Sequence, residues 1–86
     1  MTISTSSDTL LHPRAVGVEI DGDVLRVTVV DGRTITVPVA WFGWLAEASV
    51  TERRDLAIVG GGAGIWWEEL DEGLSVPGLF GLPEDL

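Results

Sequence analysis

Within five residues, Glu68-Glu69-Leu70-Asp71-Glu72 presents four carboxylates. Oxygens at that density could ligate a hard divalent cation, share a proton for acid/base work, or attract a cationic protein. An EF-hand loop needs ligands at alternate positions, a central Gly and a closing Glu; this segment lacks that spacing, and Asp21-x-Asp23 also fails, at Leu25. Acid/base catalysis needs a pocket that raises one carboxyl pKa, whereas these acids read as a solvated face. Steering a basic partner is the role left to them.

The run Gly60-Gly61-Gly62-Ala63-Gly64 invites a phosphate-binding reading, which fails twice. A P-loop requires a Lys, and the chain has none; a G-x-G-x-x-G fingerprint begun at Gly60 or Gly62 would need Gly where Ile65 or Trp67 stands. A flexible hairpin turn is the expectation. His12 is the sole imidazole, placed next to an expected disordered leader, where no rigid support could hold a Ser-His-Asp arrangement. It reads as a surface residue before Pro13. No catalytic, cofactor-binding or metal-ligating residue is assigned, and the chain is read as not an enzyme.

The four Trp say more. Trp41 falls on an apolar helical stripe and is expected in the core. Trp66 and Trp67 are neighbours on an expected strand and must point to opposite faces, which a thin domain can hardly bury together. Trp44 lies at the edge of the stripe. Trp44 and Trp66 are therefore the expected exposed anchors beside the acidic segment.

Composition supports these exclusions. The 86 residues make one small domain, burying only roughly 60 to 65% of the unfolded surface, which leaves little room for an enclosed cleft. Absence of Cys, Lys and Tyr removes thiolate metal sites, Schiff bases and phenolic acids. A net charge of −9 with only five Arg disfavours nucleic acid and anionic membrane surfaces. Six of the carboxylates fall after Trp66 with no basic residue among them, so the charge is concentrated there. With no long apolar run and no signal-peptide pattern, the chain is read as cytoplasmic.

The elements that must position these residues follow from periodicity. Residues 1–12 are expected as a disordered leader and residues 13–86 as a single α+β domain. Val16, Val18 and Ile20 alternate with Ala15, Gly17 and Glu19; after Asp21-Gly22, Leu25, Val27 and Val29 alternate with polar neighbours. After Asp31-Gly32 comes Ile35, Val37 and Val39, until Pro38 ends or edges the sheet. A three-stranded antiparallel meander results. Trp41, Phe42, Leu45 and Ala48 then predict a helix over 41–48 that covers the meander. Ser49-Val50-Thr51-Glu52 fits a capping box opening a short helix to about Leu56. A second β-hairpin follows, Ala57 to Val59 and Ile65 to Trp67, joined by the Gly-rich run. The acidic tail carries Leu70, Leu74, Val76, Leu79, Phe80 and Leu82, which pin it to the domain, with only short helical turns.

With these residues placed, Trp41-Phe42-x-x-Leu45-x-x-Ala48-Ser49, Arg53, Gly60-Gly61-Gly62-x-Gly64-Ile65-x-Trp67 and Leu70-Asp71-Glu72-x-Leu74-Ser75-Val76-x-Gly78-Leu79 resemble the bacterial domain of unknown function 2442 family, from Pro13 to about Gly81. The resemblance implies a small α+β domain without a defined activity. It also implies relatives that precede a helix-turn-helix domain, and others that look like the antitoxin-like half of a two-protein module. The chain departs from that family's pattern at Trp44, where polar or basic residues are common, at Trp66, where His is common, and at Gly73, where a second Asp usually stands.

The sequence therefore predicts a non-enzymatic, antitoxin-like or regulatory interaction module that binds a basic protein. Glu68, Glu69, Asp71 and Glu72 steer the encounter and Trp44 and Trp66 anchor it. The alternative is a small ligand- or divalent-metal-binding domain built on Asp71, Glu72 and the Gly60 to Gly64 loop. A homodimer through a sheet edge or the Trp patch is a third arrangement.

Overall fold

The computed structural model describes residues 12–81. The expected leader therefore lies outside the described residues except for His12, as does the tail after Gly81. Within them, two three-stranded antiparallel sheets follow one another along the chain. The first consists of β1 (Ala15–Asp21), β2 (Val24–Val29) and β3 (Thr34–Pro38), ordered β1-β2-β3. The second consists of β4 (Leu56–Val59), β5 (Gly64–Trp67) and β6 (Glu72–Ser75), ordered β4-β5-β6. Between and after them come three short helices, α1 (Gly43–Ala46), α2 (Val50–Arg54) and α3 (Val76–Leu79), and two 3₁₀ turns, Val39–Trp41 and Gly60–Gly62.

The meander forms as its alternation dictates, with one change of phase. The pairing of β1 with β2 slips between Ala15 and Gly17, so that Ala15 opposes Val29 while Gly17 opposes Thr28. The extra residue at this bulge is Val16, which is 60% exposed, whereas Ala15 is buried and Val18 and Ile20 pack on the core. The expectation that Val16 shares a face with Val18 and Ile20 is thus corrected: one inserted residue inverts a period-2 pattern. Leu25, Val27, Val29 and Val37 are buried as expected. At the β2–β3 turn the Arg33 backbone N–H and its guanidinium both bond the Asp31 carboxylate. The backbone donor above all, with the guanidinium second, holds the Asp31 pKa below the ordinary value of 3.8. A lowered folded pKa contributes stability that is whole above the unfolded pKa and vanishes as pH falls through the folded one. Asp31→Asn should therefore lower Tm at neutral pH and converge with the parent in acid, as measured by melts from neutral pH downward.

The single helix expected over 41–48 is two elements. Phe42 takes an extended conformation, φ −120° and ψ 97°, between the 3₁₀ turn and α1. That break turns Trp41 away, leaving it 69% exposed where core burial was expected; Val39 and Leu45 fill the core instead. Arg53 explains why α1 stops. Its guanidinium donates to the Leu45 carbonyl at 3.0 Å, the Ala46 carbonyl at 2.8 Å and the Gly22 carbonyl at 3.3 Å. One side chain thereby satisfies the carbonyl end of α1 and fastens it to the β1–β2 turn. Arg53→Met keeps the length and removes three charge-assisted donors, so a loss of about 2 to 3 kcal/mol is expected in urea unfolding. The Ser49–Glu52 capping box opens α2 as expected, with 3.1 Å and 2.9 Å bonds, but the helix ends at Arg54 and Leu56 begins β4.

A single core joins the two sheets: Leu25, Val27 and Val37 from the first, Ile65 and Trp67 from the second, Leu45 from α1 and Val76 from α3. Leu70, Leu74, Leu79 and Phe80 pack against it, so the tail is pinned through these residues; Leu82 lies outside the described residues. The Arg33 guanidinium sits 5.0 Å from the centre of the Phe80 ring. His12, expected at the surface, is half-buried, next to the buried Pro13.

Candidate functional site

The hairpin expected from 57 to 67 is completed by a third strand, β6, within what reads as an acidic tail. Trp67 pairs with Glu72, so Glu68 to Asp71 form a four-residue turn, with the Leu70 N–H 3.2 Å from the Trp67 carbonyl and the Asp71 N–H 3.3 Å from that of Glu68. Leu70 folds back onto the core, which leaves Glu68, Glu69, Asp71 and Glu72 exposed. Asp71 takes φ 52°, a left-handed conformation that Asp tolerates better than most residues. The ion pairs among the described residues join Arg26 to Glu19, Arg33 to Asp31 and Arg53 to Asp23, and none engages these four carboxylates.

Side chains alternate along β5, so Ile65 and Trp67 enter the core while Gly64 and Trp66 face the other way. The register extends that outer face across the sheet: Ala57, Trp66 and Gly73 form one row, and Val59, Gly64 and Ser75 the next. Here lies a groove of ≈ 430 Å³, bordered by Val59, Gly64, Trp66, Gly73, Ser75 and, beside the Gly-rich turn, Arg14. The glycines of that turn hold one shape, with φ of 61°, 66° and 101° at Gly60, Gly61 and Gly62.

Trp66 and Gly73 are direct cross-strand partners. A Cβ on Gly73 would lie 2.9 Å from Cε3 of Trp66 and 3.0 Å from the Ile65 carbonyl oxygen. The indole occupies the space that a side chain at 73 would need. Gly73→Ala is expected to cost about 1 to 3 kcal/mol, and about 1 kcal/mol less in a Trp66→Ala background. A four-member unfolding cycle measures that coupling. The ring is also held at its edge, since Nε1–H of Trp66 donates to Oε1 of Glu68 at 3.0 Å. Groove and acidic turn are therefore contiguous.

Trp44 belongs elsewhere. It is half-buried, 6.2 Å from the Phe42 ring and 5.3 Å, edge to face, from Trp67, which lies on the core side of β5. The expected exposed pair of Trp44 and Trp66 is thus corrected, because the two rings sit on opposite sides of the second sheet. Trp66 stays with the acids; Trp44 supports the core. Arg14, Val59 and Ser75 were missed, and only β6 pairing could have found Ser75. Among the described residues no group of three or more His, Asp or Glu is placed to hold a metal ion, and no helix is long and apolar enough to cross a membrane.

Residues 15–82 match the model of a family described as protein of unknown function (DUF2442), and the chain belongs to that family. A crystal structure of a protein of unknown function from Rhodospirillum rubrum ATCC 11170 is similar, with 34% sequence identity, TM-score 0.73, and coverage of 81% of this chain and 88% of that one. No curated protein matches.

Proposed function

We propose that this member of the DUF2442 family is a non-enzymatic, cytoplasmic interaction module that binds a basic protein through the β5–β6 turn and the groove behind it. The observation that carries the reading is the acidic turn itself: four exposed carboxylates that no ion pair among the described residues engages, joined to the groove by the Trp66–Glu68 hydrogen bond. Unpaired charge of one sign speeds encounter with an oppositely charged surface, and a half-exposed indole beside it supplies contact area. An antitoxin-like or regulatory role is the specific form that the family resemblance favours.

The test is co-purification of the tagged chain from its native cells, beside the variant carrying Glu68→Gln, Glu69→Gln, Asp71→Asn and Glu72→Gln. A stoichiometric basic protein, lost from the variant, is the expected result. Recovery of the chain alone, or a partner held equally by the variant, refutes the reading.

One observation favours a second reading. Gly60, Ala63 and Gly64 of the Gly-rich turn border the same groove, whose volume lies within the range of small-ligand sites. A thermal-shift screen with nucleotides and divalent cations separates the two, since a ligand that binds only the folded state raises Tm.

A further inference from the structure

The groove has two electrically different ends. At the Gly-rich end stands Arg14, whose Nη1 would be 3.7 Å from a Cβ on Gly61; at the other the lining residue Trp66 donates its indole N–H to Glu68, the first carboxylate of the acidic turn. From Gly64 to Glu68 the chain advances about 13 Å, the length of four residues of extended peptide. Between the ends the Trp66 indole lies over Gly73 and the Val59 side chain abuts the space above Gly64, so both present apolar surface to the groove. Glu68 spends Oε1 on the Trp66 indole, which orients the ring and keeps Oε2 at its edge.

A planar cation fits this arrangement better than a compact one. A guanidinium stacks on an indole face and donates in its own plane to a carboxylate, whereas an ammonium is a strongly hydrated point charge. We propose that the groove seats an extended segment of a partner protein, with an Arg guanidinium stacked on Trp66 and paired with Glu68, and an acidic side chain about four residues away meeting Arg14. This rests on the interaction-module reading and specifies what that module recognises. Charge argues against residues 1–11 and 82–86 as occupant: the first carry no basic residue, and the second add Glu84 and Asp85, which the acidic turn repels.

The experiment titrates the ¹⁵N-labelled full chain with a blocked heptapeptide bearing Arg at its second position, Glu at its sixth and small apolar residues elsewhere, and with the same peptide reversed. The Trp66 indole signal and the Gly64 and Gly73 amides should move with one of the two orders. Citrulline in place of the peptide Arg should weaken binding about tenfold, since it keeps the shape and removes the charge. Glu68→Gln should weaken it about fivefold while the Gln oxygen still accepts the indole N–H, so the ring stays in place. Gln in place of the peptide Glu should weaken binding to the parent chain but leave binding to Arg14→Gln unchanged. No shift by about 5 mM peptide, equal binding of the citrulline form, or shifts confined to residues outside the groove overturns the proposal. Doubling of the solution mass that Trp66→Leu abolishes also overturns it, naming a second copy as occupant. The two readings fail separately. A native partner lost by the four-carboxylate variant but retained by both Trp66→Leu and Arg14→Gln leaves the module standing and removes the groove.

Discussion

Trp67→Ala is expected to leave the chain without a stable fold. The side chain is fully buried, its Nε1–H donates to the Arg53 carbonyl at 2.9 Å, and its ring meets Trp44 edge to face. Truncating a buried aromatic of this size costs about 3 to 5 kcal/mol. The orphaned Arg53 carbonyl adds about 1 kcal/mol, and the lost ring contact about as much again. A domain of this length has only about 4 to 13 kcal/mol in total. Far-UV circular dichroism and urea titration measure the effect, and a midpoint within about 1 M of the parent would show that Trp67 is not the centre of the core. Trp67→Phe separates two contributions: it keeps a ring and removes the donor, so a smaller loss of about 2 kcal/mol is expected.

The second large effect is expected at Gly62. Its φ of 101° lies outside what L side chains adopt readily, and a Cβ there would stand 2.9 Å from both the Ala15 carbonyl oxygen and Arg14 Cβ. The atoms it would strike belong to the start of β1, which cannot rotate aside as a long side chain could. Gly62→Ala should therefore cost about 2 to 4 kcal/mol, a fall in Tm of roughly 10 to 25 °C for a domain of this size. Gly32→Ala is the control. Gly32 has a similar φ of 97° but open space around it, so its variant pays for conformation alone, about 1 to 2 kcal/mol. Equal losses at the two positions would mean that the close approach of the Gly-rich turn to β1 contributes nothing.

Much of the fold was legible because its signals are local. Asp-Gly pairs flanked by alternating apolar runs specify hairpins within a few residues, and Ser49 with Glu52 specifies a helix start. The misses share one cause. Val16 alternates correctly in sequence, yet a bulge beside it reverses the phase; Trp41 sits at helical spacing from Leu45, yet Phe42 breaks the helix between them. Neither event leaves a local signature, since both depend on pairing or packing with distant chain. The strand Glu72–Ser75 was hidden likewise. Four residues including Gly73 carry little strand preference of their own, and they pair because β5 offers an open edge and Trp66 covers the glycine.

By itself the sequence determined the family, the meander, the helix cap and the density of charge after Trp66, because these depend on residue type and spacing along the chain. Tertiary structure alone decided which tryptophan faces which way. Trp66 and Trp67 must diverge on any strand, but only the position of the core makes Trp67 its centre and Trp66 the wall of a groove. The pairing of Trp66 with Gly73 depends on a third strand whose residues do not announce one, and the arrival of Arg14 beside the Gly-rich turn joins residues far apart in sequence. Contacts of that kind are set by the register and packing of whole strands, and they made a bounded, two-ended groove out of what composition could describe only as an acidic tail.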